Sequence, residues 1–228
     1  GCADSISKNL VVHPLPVADF IIPAFVCPTD SIQPQDNNIN AISYSWTASP
    51  AGLTFNDTAI PQPYIYFPDN QSGTYQDYQL QLVVQSLNGC YDTLAQNIRL
   101  NSRPVADFTM PVNACGPLSV QPVSTSTGTN LSYSWNISPG TGVTISGGST
   151  PMPTFDFVSP AQDSLVYRIN LLVTDTAGCL DSITKNFTVY PKPYAGFVPS
   201  NPDSCGPLTV TFTNVSASHI TGQENSRQ

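Results

Sequence analysis

Tyr78-Gln79-Leu80-Gln81-Leu82-Val83-Val84-Gln85 decides the fold. Large apolar residues alternate with mostly polar ones, and successive strand side chains point to opposite faces. One face therefore enters a core and the other meets solvent. The turn Asn88-Gly89-Cys90 follows, and apolar residues then fall four, eight and ten positions past the cysteine, at Leu94, Ile98 and Leu100. Strand, tight glycine-containing turn, strand is a hairpin. The whole pattern returns 89 positions later (167 − 78 = 89) as Tyr167-Arg168-Ile169-Asn170-Leu171-Leu172-Val173-Thr174, Gly178-Cys179, then Ile183, Phe187 and Val189.

Working outward, other phrases return after 88 or 89 positions. Pro16-Val17-Ala18-Asp19-Phe20 returns as Pro104-Val105-Ala106-Asp107-Phe108 and, more loosely, as Pro193-Tyr194-Ala195-Gly196-Phe197. Tyr44-Ser45-Trp46 returns as Tyr133-Ser134-Trp135. Self-similarity at fixed spacing marks an array of structural units. Residues 16–103 and 104–192 read as complete units. Residues 1–15, with Ile6, Leu10 and Val12, read as the last strand of a preceding unit, and residues 193–228 as the first strands of a following one. Each complete unit offers about seven short strands with turn signals between them, the pattern of an immunoglobulin-like β-sandwich. The expected fold class is all-β. Phe20, Phe108, Trp46 and Trp135 are expected in the cores, with a carbohydrate-stacking platform as the alternative for the tryptophans.

Charge is sparse and one-sided. The 15 acidic residues are 14 Asp and Glu224, against 7 Lys plus Arg, for a net charge of −8. An acidic chain without basic clusters argues against nucleic acid or anionic lipid as partner, and no apolar run is long enough to insert in a membrane as a helix. The six cysteines form no CxxC pair, and His13 and His219 sit beside none of them. Disulfides in an oxidising compartment suit this spacing better than zinc. No carboxylate cluster suggests calcium, no cofactor is expected, and no catalytic constellation is visible, so the chain is not expected to be an enzyme. The recurring Asp19 and Asp107 read as turn or edge residues.

Val-Ala-Asp-Phe, Cys-Gly-Pro-Leu at Cys115–Leu118 and Cys205–Leu208, Tyr-Ser-Trp, and Gly-Cys-x-Asp-Ser/Thr together resemble the PKD-like repeats of large Bacteroidetes surface proteins. The Trp-Asp-Phe-Gly-Asp-Gly stretch common in PKD repeats is replaced by Trp46-Thr47-Ala48 and Trp135-Asn136-Ile137, which points to a divergent subtype. The resemblance implies a stalk or filament of a gliding-motility or adhesion protein, exported across the outer membrane by the type IX system to the cell surface. Its implied partners are neighbouring repeats of the same polypeptide and the motility or secretion machinery. Asp-Ser/Thr followed by a small or apolar residue resembles the O-glycosylation acceptor of the same bacteria. It occurs with hydroxyls at Ser5, Ser31, Thr58, Thr93, Ser164, Thr176 and Ser182, which takes in half of the 14 aspartates. Three of the seven recur with the repeat beside the Gly-Cys turn.

Topology constrains the cysteines. Cys27 and Cys115, with Cys205 after them, fall between the first and second strands of a unit, whereas Cys2, Cys90 and Cys179 fall in the last hairpin turn. These turns lie at opposite ends of a sandwich, a strand length of ~17–20 Å apart, and a disulfide needs Cα atoms within about 7 Å. Cys27–Cys90 is therefore disfavoured, and Cys90–Cys115 more so. In a head-to-tail array the favoured bond joins Cys27 to Cys179.

The expected function is structural, a segment of a repetitive extracellular stalk, with Arg103-Pro104 and Tyr190-Pro191-Lys192-Pro193 as stiff linkers. A glycan- or protein-binding module using Tyr64, Tyr66 and Tyr75 is one alternative, and accessory repeats of a secreted enzyme are another.

Overall fold

The structure is a computed structural model and describes residues 1–161, 163–200 and 205–217; His219 and Glu224 lie outside them. The described residues form strands and turns, with no helix. The chain divides into two compact units, Gly1–Arg103 with Ala177–Cys179, and Pro104–Thr176 with Leu180–Gln228. The fold class is all-β, a tandem of immunoglobulin-like sandwiches.

The first unit contains β1 (Phe20–Ile21), β2 (Phe25–Val26), β3 (Ser31–Ile32), β4 (Gln35–Asp36), β5 (Ser43–Ser49), β6 (Thr54–Phe55), β7 (Ile65–Tyr66), β8 (Gln76–Gln85) and β9 (Tyr91–Leu100). One sheet has the order β2-β9-β8-β5 and the other β3-β7-β6, while β1 pairs with β4. The seven expected strands become nine because prolines divide two of them. Pro23 separates β1 from β2 and Pro34 separates β3 from β4. Proline brings no N–H to a ladder, so the chain breaks there and its halves serve different sheets. β1 runs antiparallel to β4, whereas β2 joins β9 in parallel register, Val26 opposite Leu100. The β8–β9 hairpin pairs from Gln76↔Leu100 to Gln85↔Tyr91. Gly89 closes it at φ 79°, a left-handed conformation that favours glycine.

Alternation along β8 buries Tyr78, Leu80, Leu82 and Val84 and leaves Gln79 and Gln81 in solvent. Phe20, Trp46, Ile65, Ile98 and Leu100 complete the core. A fully buried side chain of this size contributes about 1.5–3 kcal/mol.

The second unit repeats the plan with β10 (Phe108–Thr109), β11 (Asn113–Cys115), β12 (Leu118–Val120), β13 (Val123–Ser124), β14 (Ser132–Ser138), β15 (Val143–Ser146), β16 (Thr154–Phe157), β17 (Leu165–Thr174) and β18 (Leu180–Tyr190). The sheet orders are β11-β18-β17-β14 and β12-β16-β15, with β10 on β13. Pro111 and Pro122 make the same two breaks. The core holds Phe108, Trp135, Phe155, Phe157, Tyr167, Ile169, Leu171, Val173, Phe187 and Val189.

The flanking segments differ from these units. β19 (Phe197–Pro199) pairs with β20 (Phe212–Asn214) as β10 pairs with β13. Yet Phe197 is 65% exposed where Phe108 is 0% exposed. Residues 1–15 form no strand, and Ile6, Leu10 and Val12 are exposed. The last strand of each complete unit is held on both sides, β9 by β8 and β2, β18 by β17 and β11. Residues 1–15 have no such neighbours among the described residues, so the strand read from their sequence is not formed here.

Candidate functional site

Functional chemistry in this chain centres on the turns that carry the cysteines. Cys27 follows β2 and Cys115 ends β11, so both leave the strand that runs parallel to the last strand of their unit. Cys90 and Cys179 each follow a glycine of positive φ, Gly89 and Gly178, in the β8–β9 and β17–β18 turns. Ser86 fixes the first of these turns, because its Oγ accepts the Cys90 N–H at 3.3 Å and its N–H bonds to the Cys90 carbonyl at 2.9 Å. Cys27 is bonded to Cys179, with Cα atoms 5.4 Å apart and a sequence separation of 152. Cys179 is 1% exposed. The thiols of Cys2, Cys90, Cys115 and Cys205 are free; Cys90 is half-buried and the other three are exposed.

Beside each Gly-Cys turn lies an aspartate that sequence reading assigned to a modification triplet. Asp92 Oδ2 accepts the backbone N–H of Ala18 at 2.8 Å, and Asp181 Oδ2 accepts that of Ala106 at 2.9 Å. Ala18 and Ala106 are buried in Val-Ala-Asp-Phe. The last hairpin of each unit is thus latched to its opening segment by a charge-assisted bond. The Ala18 amide, and then that of Thr93, hold the Asp92 carboxyl below the usual carboxylate range. The latch escaped the sequence reading, yet its signal was present: the aspartate of Gly-Cys-x-Asp recurs 74 and 75 residues after the alanine of Val-Ala-Asp-Phe.

The seven candidate acceptor hydroxyls, Ser5, Ser31, Thr58, Thr93, Ser164, Thr176 and Ser182, all belong to exposed residues. In the two repeating triplets Asp92-Thr93 and Asp181-Ser182 the carboxylate is turned to the latch while the hydroxyl residue faces solvent.

Trp46 and Trp135 are buried in the cores, so neither ring faces solvent as a stacking platform. Their Nε1–H groups donate to the Ile60 and Thr150 carbonyls at 3.0 and 2.9 Å. Their rings meet Phe20 and Phe108 edge-on, with centroids 4.8 and 4.9 Å apart. Of the aromatic residues named as a candidate binding face, Tyr64 and Tyr66 are exposed and stacked, with centroids 6.5 Å apart. Tyr75 is exposed as well, with the Arg99 guanidinium 3.8 Å from its ring centroid. At the linker, Arg103 makes a two-pronged ion pair with Asp69, Nε–Oδ1 2.7 Å and Nη2–Oδ2 3.1 Å. It is the first cause of the lowered Asp69 pKa.

No protein-family model matches the chain, and no curated protein matches it. Among solved structures it is similar to the N-terminal eight Ig domains of Down syndrome cell adhesion molecule isoform 1.30.30, at 12% identity and TM-score 0.49, over 83% of this chain and 26% of that one. It is similar to protocadherin gamma B2 extracellular cadherin domains 3–6, at 11% identity and TM-score 0.32, over 89% and 56% of the two chains. Human CDH23 EC21–23 is matched at 13% identity and TM-score 0.31, over 88% and 81%. The chain spans only part of the first two proteins' length.

Proposed function

We propose that this chain is a structural segment of a long, repetitive, extracellular stalk that serves cell adhesion or gliding motility, with no catalytic role. The observation that supports this best is one sandwich built twice, each copy with its own core and the same aspartate latch. A bonded cysteine pair fits an oxidising, extracellular setting. The bond also fits a load-bearing role. A pull on the chain ends runs through Cys27–Cys179, so the 151 residues between them (179 − 27 − 1 = 151) are not extended while the bond holds. The partners in this reading are neighbouring repeats of the same polypeptide and the surface motility or secretion machinery, reached by type IX export. Glycans on the seven exposed Asp-Ser/Thr hydroxyls would hinder edge-to-edge association of strands and proteolysis.

Immunogold labelling of intact cells with antibody to this chain tests the reading. Gold standing away from the cell envelope along filaments is expected. Label that appears only after permeabilisation would overturn it. A second reading, glycan or protein binding, has one observation in its favour, the exposed Tyr64–Tyr66 pair on β7.

A further inference from the structure

The cysteines fall into two sets by position in the repeat. Cys27 follows β2 and Cys115 ends β11, with Cys205 at the matching place in the sequence, whereas Cys2, Cys90 and Cys179 each follow the glycine of a Gly-Cys pair. The bond that forms takes one from each set, 152 residues apart, an earlier repeat supplying the first kind and the next repeat the second. Cys2, Cys90, Cys115 and Cys205, which occupy the same two kinds of position, are free thiols.

The local frames agree as well. Cys115 follows Ala114, which sits opposite Val189 of the last strand, as Cys27 follows Val26 opposite Leu100. Cys90 follows Gly89 at φ 79°, as Cys179 follows Gly178 at φ 87°. Cys90 and Cys115 are therefore entered through backbone like that which leads into Cys179 and Cys27.

We propose that Cys90 and Cys115 are the two open halves of the clamp that Cys27 and Cys179 close, each selective for a cysteine of the complementary turn in another repeat of this kind. Cys90 takes a cysteine from the position of Cys27 and Cys115, at the end of the strand parallel to the last one, and Cys115 takes one from a Gly-Cys turn. This rests on the reading of the units as members of an array. Formation of the bond is a two-electron oxidation, for which glutathione disulfide is a sufficient oxidant. The Cys115 thiolate attacks one glutathione sulfur, the glutathione S–S bond breaks and one glutathione thiolate leaves. The Cys90 thiolate then attacks the Cys115 sulfur and expels the second glutathione thiolate. The two cysteine protons end on the two glutathione thiols.

A second copy of the chain supplies both complementary turns and serves as the probe. In a background with Cys2→Ser and Cys205→Ser, one protein carries Cys90→Ser and the other Cys115→Ser, with the Cys27–Cys179 bond verified in each by peptide mapping. Alone in glutathione disulfide, each remains predominantly monomeric on a non-reducing gel. Mixed, they yield a reducible dimer whose peptides join Cys90 to Cys115, in roughly tenfold or greater excess over either homodimer. Homodimers at the statistical proportion, or no dimer in the mixture, would overturn the proposal. Filament labelling that failed while this selectivity held would remove the stalk and leave the clamp halves; the reverse result would remove only the clamp halves.

Discussion

The two repeats build one sandwich with different fillings, and the differences separate what the fold requires from what it tolerates. Trp46 meets the ring of Phe20, whereas Trp135 meets the rings of both Phe108 and Phe155, because Phe155 stands opposite Val120 where Ile65 stands opposite Ile32. Where β7 is flanked by and displays the exposed Tyr64 and Tyr66, β16 has Thr154 and Asp156 at the same register, bonded to Gln121 and Ser119. What does not vary is the tryptophan's own hydrogen bond, the two proline breaks and the aspartate latch. Core volume can be redistributed among neighbours, whereas losing an acceptor leaves a buried N–H unpaired.

The largest test of this comparison is removal of the tryptophans. Trp46→Ala and Trp135→Ala should each cost about 3–5 kcal/mol. Trp135→Ala should cost more, since an aromatic pair adds about 0.5–1.5 kcal/mol beyond its buried area. The chain has two tryptophans, one per unit. In Trp46→Ala the remaining fluorescence therefore follows the second repeat while circular dichroism follows both. An early transition by dichroism with an unshifted fluorescence transition is expected in urea. Coincident shifts in both signals would show that the cores are not independent, and equal costs would remove the role given to Phe155.

The latch comes next in size. Asp92→Ala frees the Ala18 amide and Asp181→Ala frees that of Ala106. Hydrogen exchange should accelerate roughly tenfold at the released alanine, for the loss of one charge-assisted bond, and remain unchanged at the other. Acid should mimic Asp92→Ala. The Asp92 carboxyl is held below its usual range by the Ala18 and Thr93 amides, so its stabilisation is complete above the unfolded carboxylate pKa of about 4. It is lost as pH falls through the depressed native value. Ala18 exchange that ignores both acid and Asp92→Ala would remove the latch from the structural account.

That latch also shows where sequence reading stops. The β8 and β17 alternation, the hairpins that turn at Gly89 and Gly178 and the burial of the tryptophans were legible, because each follows from a local period or from strand order. The partner of Asp92 was not. It lies 74 residues away and is a backbone amide, which leaves no side-chain signature at position 18. The division of seven strands into nine was also missed, although Pro23, Pro34, Pro111 and Pro122 mark it. A proline shows that a ladder must break, but which sheet each half then joins depends on tertiary partners.

The smallest effect distinguishes the repeats at one position. Gln96 Nε2 donates to the Phe20 carbonyl at 2.7 Å, and Lys185 Nζ reaches the equivalent Phe108 carbonyl. Lys185 adds what glutamine lacks, an ion pair with Asp107 at 2.7 Å and a place over the Phe108 ring. Its ammonium is the first cause holding the Asp107 carboxyl below the usual range, followed by the Phe108 amide. Both side chains are well exposed, so solvent and salt screen the pair and its effect on stability is small. Its sign is nevertheless fixed. A depressed native pKa stabilises the second repeat above about pH 4 and ceases to do so as pH falls through the native value. Lys185→Gln should therefore flatten the acid dependence of the second repeat, followed by Trp135 fluorescence in urea at neutral and acid pH. Gln96→Lys should add a salt-sensitive component to the first repeat, followed by Trp46. If Lys185→Gln changes neutral and acid stability equally, Lys185 acts only through the Phe108 carbonyl and ring, and the two repeats are then equivalent at this position.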